Sequence, residues 1–197
     1  MKSLTFDADT HTYCYGGQRV PSVTQVIKHA GLVDYSAVPD WMLNFKAELG
    51  RAAHSATEMD DEGDLDEASL DPRVLPYVGA YRLFREESGF EMLSSEERIV
   101  HSRYKYAGTV DRVVRDGQGH RAILELKTTA AHHERAVALQ TVGYYAGWNS
   151  QHPAEERARR RYALHLRPDA SYRLYRYDDH AGDLAEFLTH LKEFCFD

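Results

Sequence analysis

Two carboxylates and a lysine near the middle of the chain could hold a metal ion beside a positive charge. Asp111 lies in the segment Tyr106–Arg115, and Glu125 and Lys127 lie in the segment Arg121–Lys127. The first segment is rich in β-branched residues, the second is largely aliphatic, and a glycine-containing turn separates them. The sequence therefore predicts two antiparallel strands joined by a tight loop.

The register of this hairpin decides whether the two carboxylates meet. A three-residue loop that ends at Gly119, with a positive φ there, pairs Arg115 with Arg121. Counting back along both strands then places Asp111 opposite Glu125. A two-residue loop would shift the register by one residue and turn the Asp111 side chain to the other face of the sheet.

A pair of opposed carboxylates needs a compensating charge. Cross-strand like charges oppose folding by about 0.2–1 kcal/mol, and a hard divalent cation such as Mg²⁺ or Mn²⁺ would offset that cost because it takes oxygen ligands. Lys127 is two residues after Glu125, so both side chains project from the same strand face. The opposite face is expected to pack under helices through Val110, Arg112, Val114, Leu124 and Leu126.

One ordered series of residues resembles the motifs of the PD-(D/E)XK nuclease superfamily, in its RecB-like branch of phage recombination and CRISPR-adaptation nucleases: Gly108-x-x-Asp111, Glu125-x-Lys127 and Gln140-x-x-x-Tyr144. The resemblance covers most of residues 11–177. It implies an α/β fold with a restriction-endonuclease-like core. In that core a mixed central sheet is flanked by helices, and an N-terminal hairpin and a helical wall form one side of a DNA cleft.

The resemblance also implies a ligand set. His54, in the pattern Gly50-Arg51-x-x-His54, would reach the metal from a helix, and the backbone carbonyl of Leu126 would join it with Asp111 and Glu125. On pattern alone, a single helical histidine is more often structural than a ligand.

Gln140 and Tyr144 are four residues apart and share one face of a predicted helix. By resemblance they would border the cleft, where they would contact the nucleic acid or brace Lys127, and they count among the catalytic candidates. Spacing alone favours another interpretation, in which Tyr144 packs in the core and Gln140 is exposed.

Two further glutamates have two interpretations each. Glu58 lies one helical turn after His54 and would orient it as a hydrogen-bond acceptor, or would be a surface carboxylate. Glu97 lies in a predicted strand over residues 93–101, just before Ile99 and Val100, where it would assist the metal or the scissile phosphate, or be an ordinary exposed strand residue.

The densest basic cluster holds Arg157, Arg159, Arg160 and Arg161. Arg159 and Arg161 are candidates for nucleic-acid contact, and tyrosines alternating with arginines over residues 172–177 could stack bases. The alternative is a strand pair with a charged outer face. The acidic stretch 58–71 is expected to be a solvated helix end and loop.

Length and composition limit the number of domains, the cofactors and the cellular location. A chain of 197 residues with 43% hydrophobic content suits one nuclease domain, with a hairpin and helical part over residues 1–92 and a core over 93–197. Cys14 and Cys195 are too few to hold an iron–sulfur cluster. No apolar run has the length of a membrane span, so a cytoplasmic protein is expected.

The remaining elements follow from periodicity and from turn and cap residues. The predicted elements are a hairpin around Gly16-Gly17, a helix capped by Ser22 and Gln25, helices over 41–59, 72–88, 132–148 and 183–196, and a second hairpin over 162–177.

The resemblance implies a metal-dependent DNA nuclease, and specifically an exonuclease of phage or prophage recombination or repair. DNA would be its substrate, and a single-strand annealing or recombination protein would be a partner. The sequence leaves the oligomeric state open. Because the net charge is −7, DNA binding would have to depend on local clusters of lysine and arginine rather than on the total charge. Two other classes stay open: a non-catalytic nucleic-acid-binding protein on the same fold, and a hydrolase of a small phosphate ester.

Overall fold

A small antiparallel sheet opens the fold in the computed structural model, which describes residues 3–34, 36–129 and 132–196. Its strands are β1 (Leu4–Asp7), β2 (Thr12–Tyr15) and β3 (Gln18–Val20). Gly16 and Gly17 join β2 to β3 with φ angles of 61° and 78°, as two-residue hairpin turns require. The predicted hairpin is confirmed.

Three helices follow the small sheet: α1 (Val23–His29), α2 (Asp40–Glu62) and α3 (Leu75–Ser88). The predicted capping box before α1 is confirmed, because Ser22 Oγ accepts the Gln25 N–H at 3.1 Å and Gln25 Oε1 accepts the Ser22 N–H at 2.9 Å. These two bonds fix the direction in which α1 leaves the small sheet.

α3 begins later than predicted. The sequence places its start at Pro72, but Asp71 accepts the N–H groups of Arg73 through its side chain and of Val74 through its carbonyl. This turn delays the first helical residue to Leu75. The predicted end is correct, since Gly89 follows the helix in the left-handed conformation at φ 67°.

The central sheet contains five strands in the order in which they occur along the chain: β4 (Glu91–His101), β5 (Tyr106–Arg115), β6 (Arg121–Lys127), β7 (Arg160–Leu166) and β8 (Tyr172–Arg176). All neighbours are antiparallel except β6 and β7. A parallel pair needs a long crossover, and α4 (Glu134–Gln151) lies in it. Helix α5 (His180–Phe196) ends the chain.

This arrangement confirms the predicted α/β fold, with a mixed central sheet flanked by helices and with an N-terminal hairpin and helices beside it. The predicted division after residue 92 falls inside β4. Within the described ranges, the helices are all too short or too polar to cross a membrane.

Both faces of the sheet are buried. On one face, Val114, Leu124 and Leu126 pack with residues of α2 and α3. On the other face, Val113 and Ile123 pack with residues of α1, α4 and α5. Nearly all of the side chains near the middle of α4 are buried, since the helix lies between the sheet and α5.

Val110 does not follow the predicted alternation. The sequence places it on the face of Val114, but it packs with Val113 in the cluster on the α4 side. Residues three apart share a face only where strict alternation is broken, so β5 is irregular between these positions. Asp111 lies at this irregularity.

The acidic stretch 58–71, which begins within the C-terminal part of α2, is less solvated at its start than predicted. The side chains of Asp60 and Asp61 are only 10% and 12% exposed. Asp60 pairs with Arg82, and Asp61 accepts from Arg112 at 2.9 Å and from Tyr81 at 2.6 Å. The Arg112 side chain is itself buried and also donates to Thr57 at 3.2 Å. This polar network holds the C-terminal half of α2 against β5 and α3.

Candidate metal centre

The hairpin between β5 and β6 has the predicted register. Arg115 pairs with Arg121, and the ladder continues to Arg112 opposite Leu124. Gly119 has a φ of 84°, as the three-residue loop requires. The next position along both strands brings Asp111 beside Glu125, at the point where the ladder ends.

The end of the ladder frees a main-chain donor for Asp111. The Leu126 N–H donates to Asp111 Oδ2 at 2.8 Å, and the Asp111 side chain is 13% exposed. Burial raises the pKa of Asp111, while the nearby Lys127 ammonium and the Leu126 N–H lower it. The bond from the Leu126 N–H holds the Asp111 carboxylate at the point where the pairing of β5 and β6 ends.

Glu125 and Lys127 form a second group beside Asp111. Lys127 Nζ donates to Glu125 Oε1 and to Gln140 Oε1, both at 2.8 Å. Gln140 Nε2 donates to Glu125 Oε1 at 2.7 Å and to the Tyr144 hydroxyl at 3.2 Å. The structure therefore brings Gln140 and Tyr144 to the Glu-x-Lys strand, and Gln140 braces the ammonium. Burial and the neighbouring Asp111 raise the pKa of Glu125 above its ordinary value.

Gly108 allows α4 to approach β5 closely. A Cβ at this position would lie 2.7 Å from Cε1 of Tyr144, which is closer than packed carbon atoms approach. Tyr144 is also part of the core cluster that contains Trp148, and it is 3% exposed. Its ring therefore packs in the core, as spacing alone favours, while its hydroxyl reaches the site.

Three side chains can offer ligand atoms to one ion: His54 from α2, Glu96 from β4 and Asp111 from β5. Their ligand atoms all lie within 4.8 Å of one another, and His54 Nδ1 is 3.6 Å from Asp111 Oδ1. Burial lowers the pKa of His54 to about 4, so the imidazole is neutral near pH 7, which is the form that binds metals.

The third carboxylate differs from the predicted one. The sequence singles out Glu97, but Glu96 lines the cavity. Ser95 pairs with Arg112 and Glu97 with Val110, so Glu96 falls opposite Asp111. Neighbouring strand residues point to opposite faces, and a bulge at Met92 and Ser94 sets which of the two glutamates faces the site. Glu96 has a φ of 49°, a strained conformation of the kind that occurs at functional sites.

Glu58 lies in the cavity wall near His54, but the hydrogen bond that its carboxylate makes within the described residues comes from Ser95 Oγ, at 3.2 Å. The predicted contact with His54 is not among the described hydrogen bonds. Glu58 instead ties α2 to β4 beside Glu96.

The predicted nucleic-acid contacts of Arg159 and Arg161 are not at this site. Arg161 is fully buried, where it pairs with Asp183 and donates to His180. Arg159 is exposed, but it lies before the start of β7, which pairs with the start of β6, whereas Lys127 is at the other end of β6. Five residues of strand separate the two ends by about 17 Å. The prediction for Arg161 is wrong.

The site opens into a cavity of about 1060 Å³ between α1, α2, the N-terminal hairpin and the ends of β5 and β6. On α2 it is lined by a stripe at helical spacing that includes Leu43, Ala47, Gly50, His54 and Glu58. Three cations also line it: Lys28 and Lys46, which sequence reasoning missed, and Arg51, which it named only as part of the pattern before His54. The sequence predicts the other residues of this stripe from helical spacing, once His54 is known to face the cavity.

The donor atoms fit a hard divalent cation. They are carboxylate oxygens and one imidazole nitrogen, which suit Mg²⁺ and, with the histidine, Mn²⁺. Glu125 Oε2 is buried and has no hydrogen-bond partner in the part of the chain that the structure describes. A buried oxygen of this kind is costly unless something pairs with it, and a cation beside Asp111 would supply that partner.

The comparisons with known proteins give a fold likeness only. No protein-family model matches the chain, and no curated protein matches it in sequence. The crystal structure of SSO0001 superposes with a TM-score of 0.39 and 13% identity, covering 75% of this chain and 72% of that chain. An alkaline exonuclease (LHK-Exo) from Laribacter hongkongensis superposes with a TM-score of 0.40 and 15% identity, covering 87% of this chain and 84% of that chain.

Proposed function

We propose that this chain is a metal-dependent DNA nuclease that hydrolyses phosphodiester bonds, acting as an exonuclease in recombination or repair of the phage or prophage type. The observation that carries the proposal is the placement of the Lys127 ammonium between Glu125 and Gln140, next to three side chains that can share one ion. A single-strand annealing or recombination protein would be the matching partner.

His54, Asp111, Glu125 and the backbone carbonyl of Leu126 would hold Mg²⁺ or Mn²⁺, and we add Glu96 to this set because its carboxylate faces Asp111. When bound, such an ion polarises the phosphate and lowers the pKa of water. Asp111 is already oriented by the Leu126 N–H, and His54 is neutral. One hydrogen bond thus orients the Asp111 carboxylate, and burial keeps the His54 imidazole in the form that binds metals.

Lys127 would stabilise the negative charge that develops on the phosphate, or position the attacking water. Gln140 keeps the ammonium in place from α4, and Tyr144 holds the Gln140 amide from the same helix. Fixed donors of this kind need no rearrangement during the reaction, which is where electrostatic catalysis gains most.

Cleavage of end-labelled linear and closed-circular DNA with Mn²⁺, Mg²⁺ or EDTA tests the proposal, with Asp111→Ala and Lys127→Ala beside the wild type. Arg159→Ala is the matched control, because it removes an exposed charge far from the site. We expect metal-dependent loss of the linear substrate, abolished by the first two substitutions and unchanged by the third. Sparing of the circle would establish an exonuclease.

Two outcomes would favour the other function classes. DNA binding without cleavage under every metal condition would indicate a non-catalytic nucleic-acid-binding protein. Neither binding nor cleavage of DNA, together with metal-dependent hydrolysis of a nucleotide or a small phosphate ester, would indicate a small-molecule hydrolase.

A further inference from the structure

We propose that a nucleic-acid strand leaves the metal centre along the N-terminal half of α2, with its phosphates held by Lys28, Lys46 and Arg51. This inference rests on the proposed function for its choice of ligand. It replaces the Arg159 and Arg161 cluster as the strand-binding surface, since that cluster is partly buried and lies at the other end of the sheet.

The first support is that these three cations have no ion-pair partner in the described part of the chain. Carboxylates outnumber lysines and arginines, 31 to 24, and several arginines elsewhere pair with them, for example Arg82 with Asp60 and Arg161 with Asp183. Lys28, Lys46 and Arg51 are exposed and make no ion pair among the contacts described for residues 3–34, 36–129 and 132–196. All three line the same cavity.

The second support is the order of charges along α2. Arg51 and Lys46 precede His54 by three and eight residues, which are about 4.5 and 12 Å along the helix axis. Phosphates recur about every 3.4 Å along the axis of one strand of a duplex, so the two cations can serve phosphates within about four nucleotides of the metal centre. Lys28 adds a cation to the same cavity from α1.

The third support is that the charge reverses beyond the metal centre. Glu58 follows His54 by one helical turn and lines the cavity. Its carboxylate repels phosphates on that side, whereas the cations on the other side attract them. The strand therefore extends from the site in one direction, toward the start of α2.

Fluorescence anisotropy of a labelled single strand of about 20 nucleotides tests this path, because that length exceeds the roughly 4–16 nucleotide sites of strand-binding folds. The full chain is titrated in EDTA, so that binding is measured without cleavage. Lys28→Ala, Lys46→Ala and Arg51→Ala are compared with Arg159→Ala, an exposed arginine outside the cavity. Thermal unfolding of each variant verifies that it folds.

We expect each cavity substitution to weaken binding by about tenfold, the value of one hydrogen bond to a charged group, and Arg159→Ala to leave it unchanged. In a salt series, the triple variant should lose about 2 from the slope of log affinity against log salt concentration, because each single-strand phosphate contact contributes about 0.7. Wild-type affinity in the triple variant, or an equal loss in Arg159→Ala, would overturn the proposal.

The binding assay and the cleavage assay together distinguish this inference from the proposed function. Binding that depends on the three cations, with no cleavage in any metal, would support the strand path and reject the nuclease. Cleavage that depends on Asp111 and Lys127, with binding unaffected by the three substitutions, would support the nuclease and reject the path.

Discussion

A Cβ on Gly108 would lie 2.7 Å from Cε1 of Tyr144. Gly108→Ala should therefore displace the Tyr144 ring, whose hydroxyl accepts from Gln140 Nε2 at 3.2 Å. We expect the free energy of unfolding to fall by about 1–3 kcal/mol, as overpacking of a core does, and nuclease activity to fall with it. Urea unfolding and the cleavage assay measure the two effects.

Gly79→Ala is the matched control for this substitution. A Cβ at Gly79 would meet the Ala170 Cβ at 3.7 Å, an ordinary contact, and the residue lies inside α3. The same change should here stabilise the protein by about 0.5–1 kcal/mol, because glycine is unfavourable within a helix. Equal stability of Gly108→Ala and the wild type would contradict the importance of the close approach.

Gln140→Met should lower kcat and leave KM nearly unchanged. Methionine has a similar size but neither accepts from Lys127 Nζ nor donates to Glu125, so the ammonium loses one of its two described partners in this network. We expect a loss of about 10- to 100-fold, the cost of misplacing a reacting group. Steady-state kinetics separate the two constants.

Tyr144→Phe provides the graded comparison, since it removes only the hydroxyl that accepts from Gln140 and leaves both bonds of Gln140 to the Glu-x-Lys strand. Its loss in kcat should be smaller than that of Gln140→Met. The reverse order would show that the hydroxyl, rather than the brace on Lys127, carries the effect.

Glu96→Gln should weaken Mn²⁺ binding, whereas Glu97→Gln should not. The two residues are neighbours on β4, but only Glu96 lies within ligand distance of His54 and Asp111. We expect the loss in affinity to reach at least the roughly 10- to 100-fold that follows removal of a group supporting a metal ligand. Titration calorimetry of the metal alone measures it, and equal affinities in the two variants would place the ion elsewhere.

Arg112→Met should destabilise the fold by about 3–5 kcal/mol, because it removes one partner of a buried charge pair. The Arg112 side chain is 1% exposed and bonds to Asp61 and Thr57 of α2. Arg73→Met is the control, since the Arg73 and Asp71 side chains are largely exposed and exposed pairs contribute little. Equal urea midpoints for the two variants would refute the role of the buried network.

The parts of the site that the sequence predicts correctly depend on interactions between residues that are close together along the chain. The positive φ of Gly119 sets the hairpin loop, and the loop alone sets the register that brings Asp111 beside Glu125. Gln140 and Tyr144 share a helix face whatever the helix packs on, so their common orientation also follows from spacing.

The parts that it misses depend on long-range contacts. The choice between Glu96 and Glu97 requires the register of β4 on β5, which a bulge shifts. Arg161 looks like part of a surface cluster, and only its pairing with Asp183, 22 residues later, shows that it is buried. Lys46 is an exposed helical cation with no distinguishing pattern, and Arg51 belongs to the pattern before His54 without a predicted role of its own. Their place in a cavity follows from how α1 and the hairpin meet α2.

The bond from the Leu126 N–H to Asp111 has an implication for sequence variation. A main-chain donor is supplied by every amino acid except proline, so position 126 can change its side chain without losing the group that orients the carboxylate. The side chain is instead selected by the packing volume between β6 and the helices α2 and α3. In a library that randomises this position, we expect other buried aliphatic residues to retain activity and proline to abolish it.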